Sequence, residues 1–419
     1  MRDLHHGTIA VIMLSVQEAR QRMLTRFQPV GTEMTNLAEC GKRILAEDIH
    51  ATNDLPLFDN SSMDGFALNS ADTTEASNAE VILKVVEDIK AGSHPKLKLK
   101  KGEAARIMTG AAMPIGADAV VPVEDTDFHN REPGAAAPST VRINKSAQPN
   151  DYVRRRGLDV KKGQPVLKKG ELLKPQDIGL LAMLGIGRVK VHAVPKVALL
   201  SSGDELLEVD APLESGKIRD SNSYTLAALV EDAGGRVIRL GVAKDNRRSV
   251  ESLLEKAVKE KADLILTSAG VSVGAFDYVR DVVETKGRLD FWRVNMRPGK
   301  PLAFGEYCQI PFIGLPGNPV SAFVCFEVFV RGAIARLRGL EGAERPRVQA
   351  RLAEQVDSDG RESYLRAVIH EEDGILMASL TGHQGSGNLL SLVRANALLI
   401  IPAGVKCVPA GQEVNAWLL

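Results

Sequence analysis

RVIRLGVAKDNRRSVESLLEKAVKEKADLILTS, residues 236–268, is the stretch whose reading decides the fold. Its opening run RVIRLGVA reads as a strand, RRSVESLLEKAVKEK as a helix, and DLILTS as a second strand. A strand, a helix and a strand at this spacing make the crossover of a parallel sheet. The same alternation extends outward over about 193–340. KVALLSS stands before it as a strand and SNSYTLAALVEDAGG as a helix ended by glycines. DYVRDVVETK follows as a helix, FWRVN and FIGLPG as strands, and NPVSAFVCFEVFVRGAI as a long helix. The expected fold class is α/β multidomain, with a doubly wound parallel sheet in this region.

The flanks have a different texture. Two amphipathic helices are expected at about 15–27 and 36–46, the first opened by a Ser15–Glu18 capping box. TIAVIML, 8–14, is too short to span a bilayer or to serve as a signal core, so the structural start is placed at Leu14. The residues before it are read as an upstream start or a tail. From about 50 to 150, short apolar runs (VILKVV, AARIMTG, AVVPVED, TVRIN) alternate with Gly, Pro and Asp, which reads as a β-rich unit. EPGAAAPST, 132–140, is expected to be a solvent loop within it. The tail, about 345–419, returns to short strands and suggests a small β-barrel or sandwich.

Composition narrows the function. At 419 residues the chain has room for about three ordinary domains. Lys+Arg and Asp+Glu both number 53, so no global field points to nucleic acid or an anionic membrane, and at 4% aromatics there is no stacking platform. Cys40, Cys308, Cys325 and Cys407 form no CxxC pair, which argues for reduced thiols in a cytoplasmic protein. The eight histidines show no ligand spacing. GxxxxGK[ST], a strand–GxGxxG–helix fingerprint and HExxH are all absent.

In an open parallel sheet, ligands bind at the carboxyl ends of the strands. KVALLSS runs into Gly203, Asp204 and Glu205. DLILTS runs into SAGVSVG, with Ser272 and Gly274, and then Asp277. FWRVN runs into Arg297-Pro298-Gly299-Lys300-Pro301, and FIGLPG into Asn318-Pro319. The Gly-rich turn before a helix lets backbone N–H groups approach an anion. Asn318 and Pro319 stand where an N-cap and a first-turn proline belong. Arg297 and Lys300, held apart by Pro-Gly, fit a small oxyanion. Glu205, Asp204 and Asp277 would repel such a ligand unless a hard cation such as Mg²⁺ bridges carboxylate and phosphate. The edge thus reads as a metal-assisted site for a phosphorylated anion. Segment 138–175 carries ten Lys/Arg against three Asp/Glu. Its Arg154-Arg155-Arg156 run suits an anion more than a random surface does.

A series of motifs adds a resemblance. PLFDNSSMDGFA, RIMTGAAMPIGADAVVPVEDT, RRRGLDVKKGQ, SSGDEL, IRDSNSYTL, SAGVSVGAFDYV, MRPGKPLAFG, GLPGNPVSAFVCFE and TGHQGS occur in this order. The chain resembles the molybdopterin molybdenumtransferases, the family of bacterial MoeA and the gephyrin E domain, over nearly its whole length after residue 14. The resemblance implies an elongated homodimer of four-domain chains. The domains would be a split mixed linker domain (14–50 and 150–192), a β-rich inserted domain (51–149), an α/β molybdopterin-binding domain (193–340) and a C-terminal β-barrel (341–419). It implies transfer of molybdate to adenylylated molybdopterin with release of AMP, assisted by Mg²⁺. Contacts with a molybdopterin adenylyltransferase and with molybdoenzyme chaperones would follow.

Residue by residue, the resemblance assigns Asp64, Thr109, Glu205, Asp245 and Asp277 to catalysis, with Glu205 and Asp277 on the metal. Arg154, Asp159, Ser202, Gly203, Ser272, Gly274, Arg297, Pro298, Lys300, Pro301, Asn318, Arg361 and Ser386 are assigned to substrate. It also places Asp64 and Thr109 of one subunit against the α/β cleft of the other. The family often has lysine where this chain has Arg293 and Arg297, glycine at Ala269 and an acid at Ala275. An adenylyltransferase and a gephyrin-like scaffold are the competing readings. Within LPLFDNSSMDGFAL, 55–68, the apolar residues are expected to anchor a rigid loop. Asp64 is then the residue for chemistry, and Asp59 a support of the turn through hydrogen bonds to backbone.

Overall fold

The computed structural model describes residues 12–76, 79–129, 134–268, 275–342 and 344–419, with side chains at all of these but 275–277, 291 and 292. The chain begins with a short strand β1 (Ile12–Leu14) and helix α1 (Val16–Leu24). The capping box forms as expected: Glu18 N donates to Ser15 Oγ, and Ser15 N donates to Glu18 Oε2. The second expected helix, over 36–46, does not form. Strand β2 (Thr32–Asn36) runs into its start and is followed by a single 3₁₀ turn, Leu37–Glu39. Beyond it, Ile44 and Leu45 form antiparallel bridges with Leu172 and Val191, and Lys42 N, Leu45 N and Ala46 N donate to Leu173 O, Glu171 O and Lys190 O, which satisfies this backbone without a helix.

The 50–150 region is β-rich. Strands β3 (Gly65–Leu68), β4 (Val81–Ile89), β5 (Glu103–Ile107), β6 (Ala119–Pro122) and β7 (Thr140–Ile143) form one sheet in the order β6-β3-β5-β4-β7. The chain then returns through helix α2 (Pro175–Met183) to β8 (Arg188–His192), which pairs with β2. Segments on both sides of the insert therefore share a small core that includes Cys40, Leu45, Leu173, Leu181, Val189 and Val191.

The α/β region contains β9 (Lys196–Ser202), α3 (Asn222–Asp232), β10 (Arg236–Ala243), α4 (Arg247–Lys259), β11 (Leu264–Ser268), α5 (Ala275–Lys286), β12 (Gly287–Val294), β13 (Met296–Arg297), β14 (Pro301–Tyr307) and β15 (Ile310–Leu315). It ends in a long helical run: α6 (Pro319–Cys325), a π-helical turn (Phe326–Val330) and α7 (Arg331–Leu337). The sheet order is β1-β12-β14-β15-β11-β9-β10. Alternation along β9 serves two cores. Val197 and Leu199 join the layer with α1, α3 and the final helical run, whereas Ala198 and Leu200 join the layer with α4 and α5.

Two expectations about this sheet change. β14 runs antiparallel between β12 and β15, so the sheet is mixed. The sequence reading places no strand between FWRVN and FIGLPG, although a hairpin return of this length is ordinary. β1 adds parallel to β12, so residues 12–14 are part of the sheet and not a tail.

The C-terminal region is the expected barrel. β16 (Arg347–Leu352), β17 (Glu362–Glu372), β18 (Ile375–Leu380), β19 (Ala397–Ile401) and β20 (Glu413–Leu418) pair in the order β17-β18-β16-β20-β19, and β19 closes back on β17. β13 adds parallel to the start of β17. That one pairing ties the MRPGK loop of the α/β sheet to the barrel.

Candidate active site

The carboxyl edge of the sheet collects the loops that the sequence singled out. β9 leads to α3 and β10 on one side, and α4 then carries the chain to β11 on the other, so β9 and β11 flank the topological switch point. Ser201, Ser202 and Ser268 are buried there. Neither the Ser201 nor the Ser202 hydroxyl has a hydrogen-bond partner among the described residues. Asn222, at the start of α3, spans the gap: its Nδ2 donates to Ser268 Oγ and to Gly317 O, both at 2.7 Å.

The acids stand on one flank of this edge. Glu205 folds its carboxylate back over Gly203. A Cβ at position 203 would lie 2.4 Å from Glu205 Oε2, and its φ is +146°, so glycine is required for this fold-back. Asp204 and Asp245 are cross-braced. Asp245 N donates to Asp204 Oδ1 (3.1 Å), and Asp204 N to Asp245 Oδ2 (3.4 Å). Asp245 Oδ1 is buried without a partner among the described residues. Asp277 lies in α5, but its side chain is outside the described residues, as are Ala269, Ser272 and Gly274 entirely. No group of three or more His, Cys, Asp or Glu among the described residues is arranged to hold a metal.

The cations stand on the other flank. Between β12 and β14 the chain turns through Arg297-Pro298-Gly299-Lys300, pinned by Val294 N donating to Lys300 O (2.8 Å). Gly299 adopts φ +104°, and a Cβ there would meet Cys325 Sγ at 2.4 Å, so the loop lies directly on α6. Lys300 and Pro301 are exposed. Arg361 Nη1 donates to Met296 O (3.2 Å) and the same guanidinium pairs with Asp359. Arg297 Nη1 lies 4.0 Å from that Asp359, so one carboxylate serves two guanidiniums.

A third guanidinium is the residue that sequence reasoning missed. Arg366 sits mid-strand in β17 and is fully buried. Its Nε donates to Ser391 Oγ (3.0 Å) and its Nη2 to Gly385 O (3.0 Å), while Nη1 has no partner among the described residues. It takes part in no ion pair there either. Burial, and then the charge of Arg297, push its pKa down to about 10, so it is still charged at neutral pH. Ser386 is drawn to the same place because Val320 N, in the first turn of α6, donates to its carbonyl (3.1 Å). Asn318 occupies the N-cap with Pro319 after it, but its exposed side chain makes no cap hydrogen bond. The signal for Arg366 was present in YLRAVIH. An arginine amid apolar residues in a closed barrel carries a large desolvation cost without a compensating anion.

The Arg154–Arg156 run is different. Each arginine has its own carboxylate: Arg154 with Asp159 (2.6 Å), Arg155 with Asp59 (2.5 Å) and Arg156 with Asp54 (2.6 Å). The surplus charge expected there is cancelled within the chain. Asp59 holds the loop through Arg156 N (2.7 Å), and this hydrogen bond leads the causes that keep its carboxyl below the usual range. Asp59 is thus a brace to the arginine segment and not to its own turn.

Asp64 and Thr109 do meet. Asp64 Oδ1 accepts from both Thr109 N and Thr109 Oγ1, each at 2.7 Å. They stand at the mouth of a cavity of about 920 Å³ whose lining, among the described residues, runs from 63 to 136 in the insert and includes none of the α/β edge. The loop's apolar residues divide in two. Leu55, Phe66 and Leu68 are buried anchors, but Leu57, Phe58 and Met63 are exposed, contrary to their expected anchoring role.

Three family descriptions match successive parts of the chain: MoeA N-terminal region (domain I and II) over residues 14–185, probable molybdopterin binding domain over 198–336, and MoeA C-terminal region (domain IV) over 349–419. The molybdopterin molybdenumtransferase of Haemophilus influenzae is 38% identical over 407 residues, covering 96% of this chain and 98% of that one. The chain belongs to the MoeA family. Its Nostoc relative of the same name is 39% identical, covering 91% and 88% of the two chains. The crystal structure of a MoeA protein from Pyrococcus horikoshii has a TM-score of 0.81 at 34% identity, covering 97% of this chain and 99% of that one. The MoeA N-terminal region contains the Asp64–Thr109 pair. The molybdopterin-binding region contains the acids and Arg297, and the C-terminal region contains Arg361, Arg366 and Ser386. Among the described residues, no helix is long and apolar enough to cross a membrane.

Proposed function

We propose that this chain completes the molybdenum cofactor by inserting molybdenum into molybdopterin. It binds adenylylated molybdopterin, places molybdate on the dithiolene sulfurs and releases AMP. The observation that carries the reading is the unneutralised charge at the α/β–barrel junction. Arg297, Arg361 and Arg366 converge there with, among the described residues, only Asp359 paired to them. A buried guanidinium with an orphaned Nη1 beside another guanidinium is a ready receptor for a small oxyanion. The exposed Lys300 would add a point charge at the rim.

The nucleotide part would lie along the switch point, where the unpartnered Ser201 and Ser202 hydroxyls and Asn222 offer polar contacts. Glu205 and the orphaned Asp245 Oδ1 are hard oxygen donors of the kind Mg²⁺ takes, and Asp277 is the third candidate. The ion would supply charge neutralisation between carboxylates and phosphate. The protein's own part is to hold AMP's phosphate in place while its bond to the molybdopterin is broken.

Asp64 and Thr109 would reach this edge from a second subunit. The exposed Leu57, Phe58 and Met63 beside them, with Leu158, whose neighbour Gly157 N donates to Pro56 O, are the surface such a subunit would cover. The four-domain division given above, a cytoplasmic location, and contacts with the adenylyltransferase upstream and molybdoenzyme chaperones downstream belong to the same reading. The test is AMP release from adenylylated molybdopterin in the presence of molybdate and Mg²⁺. Release above background supports the reading; a folded protein that releases none refutes it.

A further inference from the structure

Cys325 closes α6 beneath the cationic loop and is fully buried. Its Sγ donates to Gly299 O at 3.6 Å. Burial pushes this thiol's pKa up, so at neutral pH it is an S–H donor and not a nucleophile. The contact has no slack. Gly299 has φ +104°, and a Cβ there would fall on Cys325 Sγ, with Met296 Cε and Sδ next at 3.4 and 3.6 Å. Two sulfurs therefore wall the seat of Gly299. This glycine is the buried member of the turn, between half-buried Arg297 and exposed Lys300.

The same seat reaches the rest of the junction. Met296 belongs to β13, whose pairing sets Arg297 opposite Ser363, and its carbonyl accepts from Arg361 Nη1. At the other end of α6, Val320 N donates to Ser386 O. The helix thus carries the cationic loop on one end and a barrel loop on the other. Two cations joined by a rigid turn bind a small oxyanion only at the spacing the turn allows, and the depth at which Gly299 sits sets that spacing. We propose that Cys325 is a positioning residue for molybdate: its sulfur seats Gly299 and so fixes Arg297 and Lys300 at the separation the oxyanion needs. This rests on the molybdenum-transfer reading and adds to it a residue that touches no substrate.

The test follows AMP release from adenylylated molybdopterin by the full-length protein with Mg²⁺, varying molybdate and the adenylylated substrate separately. Cys325→Ala should raise the molybdate KM about fivefold or more, with kcat and the KM for adenylylated molybdopterin within about twofold. Cys325→Ser keeps a donor and should recover most of that loss. Gly299→Ala strikes the same contact from the loop side and should raise the molybdate KM about tenfold, again with the other two parameters held. It carries the test alone if thermal melts show that Cys325→Ala is unfolded. Combined with Cys325→Ala it should cost less than in the wild-type chain, because the sulfur it strikes is gone. The proposal is overturned by a molybdate KM that these substitutions leave unmoved, by Cys325→Ser no better than Cys325→Ala, by a loss spread equally over kcat and both KM values, or by costs that simply add. In each of those cases the molybdenum-transfer reading stands. A wild-type chain whose AMP release ignores molybdate refutes that reading, and the proposal with it.

Discussion

The chain carries two groups of arginines with opposite fates. In Arg154–Arg156 each side chain is 47–65% exposed and faces its own aspartate. At the barrel junction, Arg297 and Arg361 share Asp359, and Arg366 is buried with no acid paired to it among the described residues. The first group looks more conspicuous in sequence, because its three arginines are consecutive. The second is scattered over 70 positions and is the one left with charge to give. A run of like charges states only that repulsion must be relieved. The fold decides whether the relief comes from the chain itself or from a ligand.

The comparison is broken most directly at Arg366. Replacing it with Met keeps the volume and removes the charge. Molybdate-dependent AMP release should fall about 100-fold with the barrel still folded, as expected for loss of a charge-assisted contact. Retained activity would put Arg366 among the structural arginines. The two aspartates of the 55–68 loop give the next effect. Asp64→Asn weakens the acceptor for both Thr109 donors and should slow AMP release about tenfold or more. Asp59→Asn acts on the neutralised arginines and should leave turnover within about twofold.

Asp59 should show itself in stability instead. Its carboxyl is held below the usual range first by Arg156 N–H and then by Arg155, so the folded form binds its proton less readily than the unfolded chain. Its contribution is therefore present above the ordinary carboxylate pKa and lost as pH falls through the folded value. Thermal melts of Asp59→Asn should lie below wild type at pH 7 by about 1 kcal/mol or less, since the group is partly exposed. The gap should close below about pH 4. A gap that persists in acid would mean the side chain acts by packing and not by charge. A small effect is expected for Arg297→Lys, which keeps the cation and loses the fork. Activity should stay within about threefold, measured by the same AMP assay. A large loss would show that the junction needs a bidentate guanidinium at this position.

Much of the fold was legible because periodicity reports burial directly. The strands and helices from Lys196 to Leu337 alternate as the sequence reads, since each strand must be apolar on both faces and each helix on one. The misses have two causes. β1 is only three residues long and β2 is polar at most positions. Each is a strand because a partner more than a hundred positions away completes its ladder, Trp292 to Val294 and Arg188 to His192, and such hydrogen bonds leave no local mark. β14 has near partners, β12 and β15, and is hidden by the turn-rich loop it follows. Amphipathic spacing over 36–46 suggested a helix where a 3₁₀ turn and isolated bridges form.

The site divides in the same way. By itself, the sequence determined the strand–helix alternation through α5, the edge on which the loops gather and the family, and it singled out Asp64, Glu205, Asp245 and Arg297 as candidates. Those follow from local spacing and from motifs that one short segment can carry. Only the tertiary structure decided which charges are free. It brought Asp54, Asp59 and Asp159 to the three consecutive arginines, and left Arg366 inside the barrel with an orphaned Nη1. It also separated the Asp64–Thr109 cavity of the insert from the α/β edge within the chain. The physical reason is that electrostatic energy depends on distance and burial, and both are fixed by pairings between segments far apart in sequence.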